Sequence, residues 1–564
     1  MYKKVVNKIK KSFLKYNNLT NIKSLFGTDN DSILYSLGRQ AREQLESFPV
    51  NERKKILYFP SYYVSDYHAL SDATNILSLQ VRGAEVIPVL SGYFFQKEDI
   101  IFGGVYNSDR FHSQYNYSQK ENRLLTSLLM TEPISITPYL TRKDNLRADA
   151  FAQELSFDSI NIEYNGIKIG KLAENAVVNM SMTPEFEHTS ESLEQFRCHI
   201  SNLIRYIDAC EQLLKTINPD VIITNFPFYY KWSIPNEIAK KMKIPVYSFF
   251  DSERPNAFSW SSESKICSDS SPCWNSYYNS NLYNKYEKII DKAVNDRKEG
   301  NITHRAYINP SGRSTSEINK IIERMDGRNS ILFSSNVLID AAVLFPSELF
   351  NTCFEMIKEV IQFFKENPNY CCILKAHPAE KTIPDTYPSG CRLIPALLNS
   401  GIALPENIIL IDNNTKINSF DLYKIVNGLI AYTSSTSLEI SFTGKKSLNA
   451  LHSHYTCAGF CTVPKTKDDF FKKLTEMLSC PIDEKTSNEI IKLGKAYYFL
   501  NRFIVQTDLK LFSGDQESVT PSRLLYNNID ALLPGKNEAL DYICDSILTG
   551  KPIFGENRWP PITI

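Results

Sequence analysis

Charge of one sign is missing from this chain: 63 Lys and Arg stand against 63 Asp and Glu, a formal net charge of zero over 564 residues. That balance excludes a broad nucleic-acid surface, which rests on an excess of Lys and Arg against the phosphate backbone. Long hydrophobic runs are missing too. No stretch approaches the roughly 18–20 apolar residues of a membrane-spanning helix, and the N-terminus lacks the apolar core of a secretion signal. The twelve cysteines are scattered and form no small disulfide scaffold, which points to reduced thiols in a cytoplasm. No GxGxxG follows a predicted strand and no Walker A sequence occurs, so neither a bound dinucleotide nor ATP hydrolysis is indicated. No internal repeat is visible. What is present is an ordinary composition, 43% hydrophobic and 22% charged, suited to two or more globular domains.

The first sixteen residues hold six lysines and no acid, with Tyr2, Val5, Val6, Ile9, Phe13 and Tyr16 near helical spacing. This basic amphipathic helix reads either as a segment lying on an anionic membrane surface or as a solvated helix packed on its own domain. From about residue 50 the pattern is β/α. Ile56 to Phe59, Ala84 to Leu90, Pro219 to Asn225 and Ile244 to Phe250 read as strands, with helices at 68–82, 191–216 and 234–242 between them. A second series begins at Ile331 and runs through strands at 370–374, 408–411, 428–432 and 447–450. Alternation at this spacing predicts parallel sheets with crossover helices.

The expected organisation is a basic segment over 1–20 and a first α/β domain over 50–298, with 100–190 irregular or inserted. A linker over 299–328 leads to a second α/β domain over 329–485. A helix over 486–512 crosses back, and 513–564 form an appendage.

Two motifs follow strands of the second series directly. Lys375-Ala376-His377-Pro378 comes after Tyr370 to Leu374, and Ser434-Ser435-Thr436-Ser437-Leu438-Glu439 comes after Gly428 to Tyr432. Ligands of parallel sheets bind at the carboxyl ends of strands. A hydroxyl-rich turn opening a helix there offers free N–H groups, and a lysine and histidine at a neighbouring strand end add partners for phosphate oxygens. The pair predicts a seat for a phosphorylated ligand, most simply a nucleotide.

Six elements in one order, over roughly residues 200–505, resemble the bacterial capsule polysaccharide biosynthesis family, which includes Kdo transferases and related surface-carbohydrate glycosyltransferases. They are Pro219-Asp220 through Val246; Trp274 with Arg297 and Gly300; Ser335-Asn336-Val337-Leu338-Ile339-Asp340-Ala341; Lys375 to Pro378; Thr433 to Glu439 with Gly444-Lys445; and His454-Tyr455 with Gly459-Phe460. Ile339, Ser437 and Lys446 stand where that pattern commonly has an aromatic residue, a glycine and a proline.

The resemblance implies a GT-B architecture, two Rossmann-like domains facing across a cleft, and a metal-independent glycosyltransferase. Its co-substrate would be a nucleotide-sugar, with no cofactor, and its acceptor a surface glycan or glycolipid. It would act in the cytoplasm, peripheral on the inner face of the membrane. A teichoic-acid-type polyol-phosphate transferase, or a non-catalytic capsule assembly or export partner, remains open beside it. The resemblance further implies that His377 contacts the donor phosphate.

Protonated His377 would stabilise charge on the departing phosphate. Lys375, Ser434, Ser435 and Thr436 are candidates for the same phosphate, and Glu439, one turn after Ser435, for ribose hydroxyls. Ser335 and Asn336 end the first strand of the second half and are expected at the cleft. Candidate catalytic carboxylates follow strands of the first half: Asp66, Asp251 and Glu253. Asp29-Asn30-Asp31 has the form of a metal-binding DxD but follows no strand. His452, His454, Cys457 and Cys461 read as a loop beside the donor more readily than as a zinc site.

Overall fold

The computed structural model describes residues 25, 28–61, 66–90, 121–225, 229–262, 269–300, 315–339, 347–383, 387–514 and 522–564. The basic N-terminal segment lies outside them. The first sheet is built from β1 (Lys54–Tyr58), β2 (Ala84–Leu90), β3 (Ile134–Ser135), β4 (Val221–Thr224), β5 (Val246–Asp251) and β6 (Ala257–Ser262). The second holds β7 (Ser330–Ser334), β8 (Cys371–Lys375), β9 (Ile408–Ile411), β10 (Gly428–Ala431), β11 (Ser447–Asn449) and β12 (Cys461–Thr462). Late in the chain, β13 (Gln506–Asp508) returns to the edge of the first sheet.

The near-continuous apolar runs are explained by burial on both faces, as parallel strands covered by helices require. In β1, Ile56 and Tyr58 face one core and Leu57, with the following Phe59, faces another. Leu332 of β7 joins the first of these cores, whereas Ile331 and Phe333 look into a third under the second sheet. One hydrophobic core therefore runs between the two halves.

Strand order is β13-β6-β5-β4-β1-β2-β3 in the first sheet and β12-β11-β10-β7-β8-β9 in the second. All six strands of the second are parallel. In the first, β1 to β5 are parallel, and β6 and β13 are antiparallel additions. Each half thus has the doubly wound Rossmann order, and the chain has the GT-B architecture. Each sheet reverses direction at one point, between β1 and β4 in the first and between β7 and β10 in the second, and such switch points open the crevices where ligands sit.

The helix Glu484–Leu500 makes the crossing, capped by Asp483 through its bond to the Thr486 N–H. Gly494 lets it lie against the second half, because a Cβ there would collide with the Ser441 hydroxyl. A π-helical turn, Asn501–Val505, delivers the chain into β13. The following residues belong to the first half. The buried Tyr247 hydroxyl reaches the Ser546 and Lys551 carbonyls at 2.8 and 2.7 Å, and Arg82 pairs with Asp541. Among the described residues no helix is long and apolar enough to cross a membrane.

Two expectations need correcting. Residues 121–190 hold β3 and several helices, including Arg142–Gln153 and Ile169–Ser181, both packed on the long helix Ser190–Ile217. The helix Arg142–Gln153 buries only Ala148 and Ala152, too small an apolar face to show as a period, although Thr141 and Asp144 form a capping box. The span read as a linker contains the amphipathic helix Thr315–Met325, which buries Ile321 and Met325. The chain after β5 also forms β6, a strand that no apolar run announces, whose Ser259 and Ser261 are buried beside Phe258 and Trp260.

Candidate functional site

The ends of β10, β7 and β8 lie side by side: Ala431 pairs with Ser334, and Ser334 with Lys375. The residues just past these strands therefore converge at the switch point of the second sheet. Lys375, His377 and Ser434 to Thr436 are among them.

Lys375 is the final residue of β8 and is only 7% exposed. No described group accepts a hydrogen bond from its Nζ. Burial pushes the ammonium down to about 8, Glu439 draws it back up and Lys381 adds repulsion. An ammonium held at a strand end with no hydrogen-bond acceptor is an arrangement completed by an anion.

His377 caps the short 3-10 turn Pro378–Thr382, its Nδ1 accepting from the Ala379 N–H at 3.1 Å. A ring nitrogen that accepts a backbone N–H carries no proton, so the neutral imidazole has its hydrogen on Nε2. Burial, then the neighbouring Lys375, lower its pKa to about 4. The protonated His377 expected from sequence is thus a neutral one, and Nε2–H is still a donor for an oxygen ligand. The turn is pinned by Glu380, a buried residue that sequence reasoning passed over. Its carboxylate accepts from the Leu393 N–H at 3.1 Å, and burial raises its pKa to about 7.

The serine turn is organised from two sides. The Ser434 hydroxyl accepts from the N–H and hydroxyl of Thr436, so Ser434 supplies the side-chain cap. The buried Tyr455 hydroxyl donates to the Ser434 carbonyl at 2.6 Å and accepts from the Ser434 N–H at 3.2 Å. Ser435, partly exposed, keeps its N–H and hydroxyl without a partner among the described residues. The helix that follows, Thr436–Ser441, is only six residues long. The donors offered here are the Ser435 groups themselves, because so short a helix accumulates little macrodipole.

Other candidates are occupied by the scaffold. Ser335 is fully buried, its hydroxyl donating to the Asn336 carbonyl at 2.8 Å. The Asn336 amide clasps the backbone of Thr433, donating at 2.7 Å and accepting at 3.4 Å, which joins the end of β7 to the turn after β10. Both residues bond backbone and so shape the crevice.

Glu439 has both oxygens engaged. One accepts from Arg297 Nε at 2.7 Å, the other from the Tyr423 hydroxyl at 2.7 Å. Arg297 also reaches Glu253 through Nη1 at 2.8 Å and lies over the Tyr498 ring, 5.9 Å from its centroid. Only 2% exposed, it ties the loop after β5, the helix of the serine turn and the crossing helix together. Burial works against its charge, and Glu253 and Glu439 outweigh that effect and raise its pKa. Arg297 was visible in the sequence as one letter of a motif, with nothing to name its partners.

Of the candidate carboxylates, Glu253 is therefore in an ion pair with Arg297, which itself bonds Glu439 across the two halves. Asp66 opens the helix Asp66–Gln80, which follows β1 at the switch point of the first sheet. The Asp251 side chain lies outside the described residues; its backbone pairs with Phe258. Among the described residues no three His, Cys, Asp or Glu side chains are grouped as a metal ion would require. In the DxD sequence, Asp31 accepts from the Leu25 N–H at 2.7 Å and lies 3.7 Å from Arg123, and the Asn30 amide donates to the Ser522 carbonyl at 3.1 Å.

What these atoms can do together is hold several oxygens of one anion: an ammonium, a neutral imidazole N–H, a backbone N–H and a hydroxyl.

No protein-family model and no curated protein matches the chain. Similar solved structures include the beta Kdo 2,4 transferase of Thermosulfurimonas dismutans KpsC, 10% identical, covering 56% of this chain and 87% of that one at a TM-score of 0.30. The beta Kdo 2,7 transferase of the same protein is 12% identical, covering 61% and 89% at 0.26. The UDP-GlcNAc 2-epimerase of Neisseria meningitidis, bound to UDP-GlcNAc, is 12% identical, covering 79% and 98% at 0.24.

Proposed function

We propose that the chain is a glycosyltransferase that moves a sugar from a nucleotide-sugar to a bacterial surface glycan or glycolipid. The observation that carries this reading is the buried Lys375 ammonium with no described acceptor, beside the His377 Nε2–H and the open Ser435 donors, at the switch point of a Rossmann-ordered sheet. The ordered motifs that resemble capsule glycosyltransferases support the same reading.

In this mechanism the donor phosphate accepts from Lys375, His377 and Ser435. As the bond from the anomeric carbon to the phosphate oxygen lengthens, negative charge grows on the departing nucleotide. Donors already in place stabilise that charge without reorganising. The acceptor hydroxyl needs a base, for which Asp66 and Asp251, each following a strand of the first half, are the candidates, whereas Glu253 is held in an ion pair with Arg297. The seat is built from side-chain and backbone donors, so turnover is proposed to need no metal.

Calorimetry with CMP, UDP, GDP and dTDP, followed by the sugar nucleotides of whichever binds, tests the reading. One nucleotide is expected to bind, and its sugar form to turn over in EDTA. Binding by none would overturn the proposal, and loss of turnover in EDTA restored by magnesium or manganese would overturn its metal-free form.

His377→Ala is expected to weaken nucleotide binding about ten- to a hundred-fold, the loss of a bond of roughly 1.5–3 kcal/mol to a charged oxygen. His377→Gln, whose amide N–H reaches a similar place, is expected to keep part of it. Unchanged affinity in folded His377→Ala would remove the histidine from the seat.

A further inference from the structure

His454 is fixed in the tautomer opposite to that of His377. The Tyr497 hydroxyl has one proton, and it goes to the His454 carbonyl, 2.7 Å away. In the second contact between these residues, 2.9 Å from His454 Nδ1 to the same hydroxyl, the ring must therefore donate. The hydrogen sits on Nδ1, and Nε2 presents a lone pair. No described group bonds to Nε2. Burial lowers the pKa of the ring to about 4, with Glu253 and Asp269 acting to raise it and Arg297 to lower it, so it stays neutral.

The ring is also held in place. It stacks on Tyr497, centroids 5.8 Å apart, and its chain neighbour Tyr455 grips both backbone groups of Ser434. His454 consequently sits beside the serine turn, on the side where Glu253 and Arg297 of the first half approach.

We propose that His454 Nε2 accepts a hydroxyl of the nucleotide-sugar whose phosphate the serine turn and His377 hold. This deepens the reading above and rests on it. The two rings divide the ligand by chemistry: the N–H of His377 suits a phosphate oxygen, which only accepts, and the lone pair of His454 suits a hydroxyl, which donates. A phosphate oxygen at His454 would set acceptor against acceptor, and the carboxylates of Glu253 and Asp269 close by disfavour it further. Hydroxyls are carried both by the ribose and by the transferred sugar.

The test uses His454→Asn, whose side-chain N–H keeps the place of Nδ1 and the bond to Tyr497, and which lacks the Nε2 acceptor. Calorimetry compares it with the wild type on three probes: UDP-GlcNAc, UDP and 2′,3′-dideoxy-UDP, or the equivalents for whichever base the wild type binds. The expected result is about a tenfold loss of affinity for the nucleotide-sugar at an unchanged melting temperature. A loss shared by UDP and absent with 2′,3′-dideoxy-UDP places the hydroxyl on the ribose; a loss confined to the sugar nucleotide places it on the sugar. His454→Gln, with an amide oxygen near the position of Nε2, is expected to restore affinity, and serves if the Asn variant does not fold. Equal affinity of the folded Asn variant and wild type overturns the proposal, as does an equal loss on all three probes. Wild type that binds no nucleotide removes the seat itself and this inference with it.

Discussion

Replacing Arg297 with Met is expected to lower stability by about 3–5 kcal/mol, the range for removing one partner of a buried ion pair. The guanidinium is 2% exposed and bonds two carboxylates, so Met leaves the buried Glu439 with the Tyr423 hydroxyl as its one hydrogen-bond donor among the described residues. Glu253, more open to solvent, suffers less. The double variant Arg297→Met/Glu439→Gln is expected to recover most of the loss, because Gln accepts from Tyr423 and carries no charge to strand. Urea titrations of the wild type, both single variants and the double variant close the cycle. An Arg297→Met protein within about 1 kcal/mol of wild type would show that the network is only an arrangement of side chains and not a bond between the halves.

Lys375→Met should act in the opposite direction, stabilising the ligand-free protein by about 3 kcal/mol at pH 7 while removing phosphate binding. The folded ammonium has a pKa of about 8 against an ordinary 10.5. Below pH 8 both folded and unfolded chains hold the proton, and the folded state bears the whole cost of burying the charge. Between about 8 and 10.5 the unfolded chain binds more protons, so wild-type stability rises with pH. Met has no proton to lose. Its advantage over the wild type is therefore expected to narrow by about 2 kcal/mol between pH 7 and 9.5. Nucleotide affinity of the wild type should fall over the same window, as Lys375 loses the charge that the phosphate needs. A variant no more stable than wild type at pH 7, or a gap that ignores pH, would show that Lys375 is solvated.

The sequence disclosed those parts of the site whose chemistry lies within a few residues of a strand. Lys375, His377 and Ser434 to Thr436 were legible because an apolar run of five residues fixes where a strand ends, and parallel sheets bind ligands there. It could not disclose where side chains turn once the chain has left the strand. Ser335 and Asn336 stand at the right place, yet both bond backbone, a competition decided by local geometry. Arg297 and Glu439 are 142 residues apart, and no local pattern pairs them. The same holds for the proton on each histidine, set by Ala379 in one case and by Tyr497 in the other. The helix Arg142–Gln153 was missed because its two buried alanines make a faint apolar face, although the Thr141–Asp144 box was there to be read.

The return of β13 to the first sheet sets the order of synthesis against the order of folding. A domain made early on the ribosome ordinarily folds while the rest is still being translated. Here the first half lacks its edge strand until residues 506–508 have emerged. The Tyr247 hydroxyl bonds carbonyls as late as Ser546 and Lys551, and Arg82 waits for Asp541. The second half, continuous from β7 to β12, can close first and hold Glu439 ready for Arg297. A chain ending at residue 480 and released from the ribosome would therefore carry a folded second half beside an unfinished first one, and protease digestion of it should cut within residues 25–300 before it cuts within 330–480.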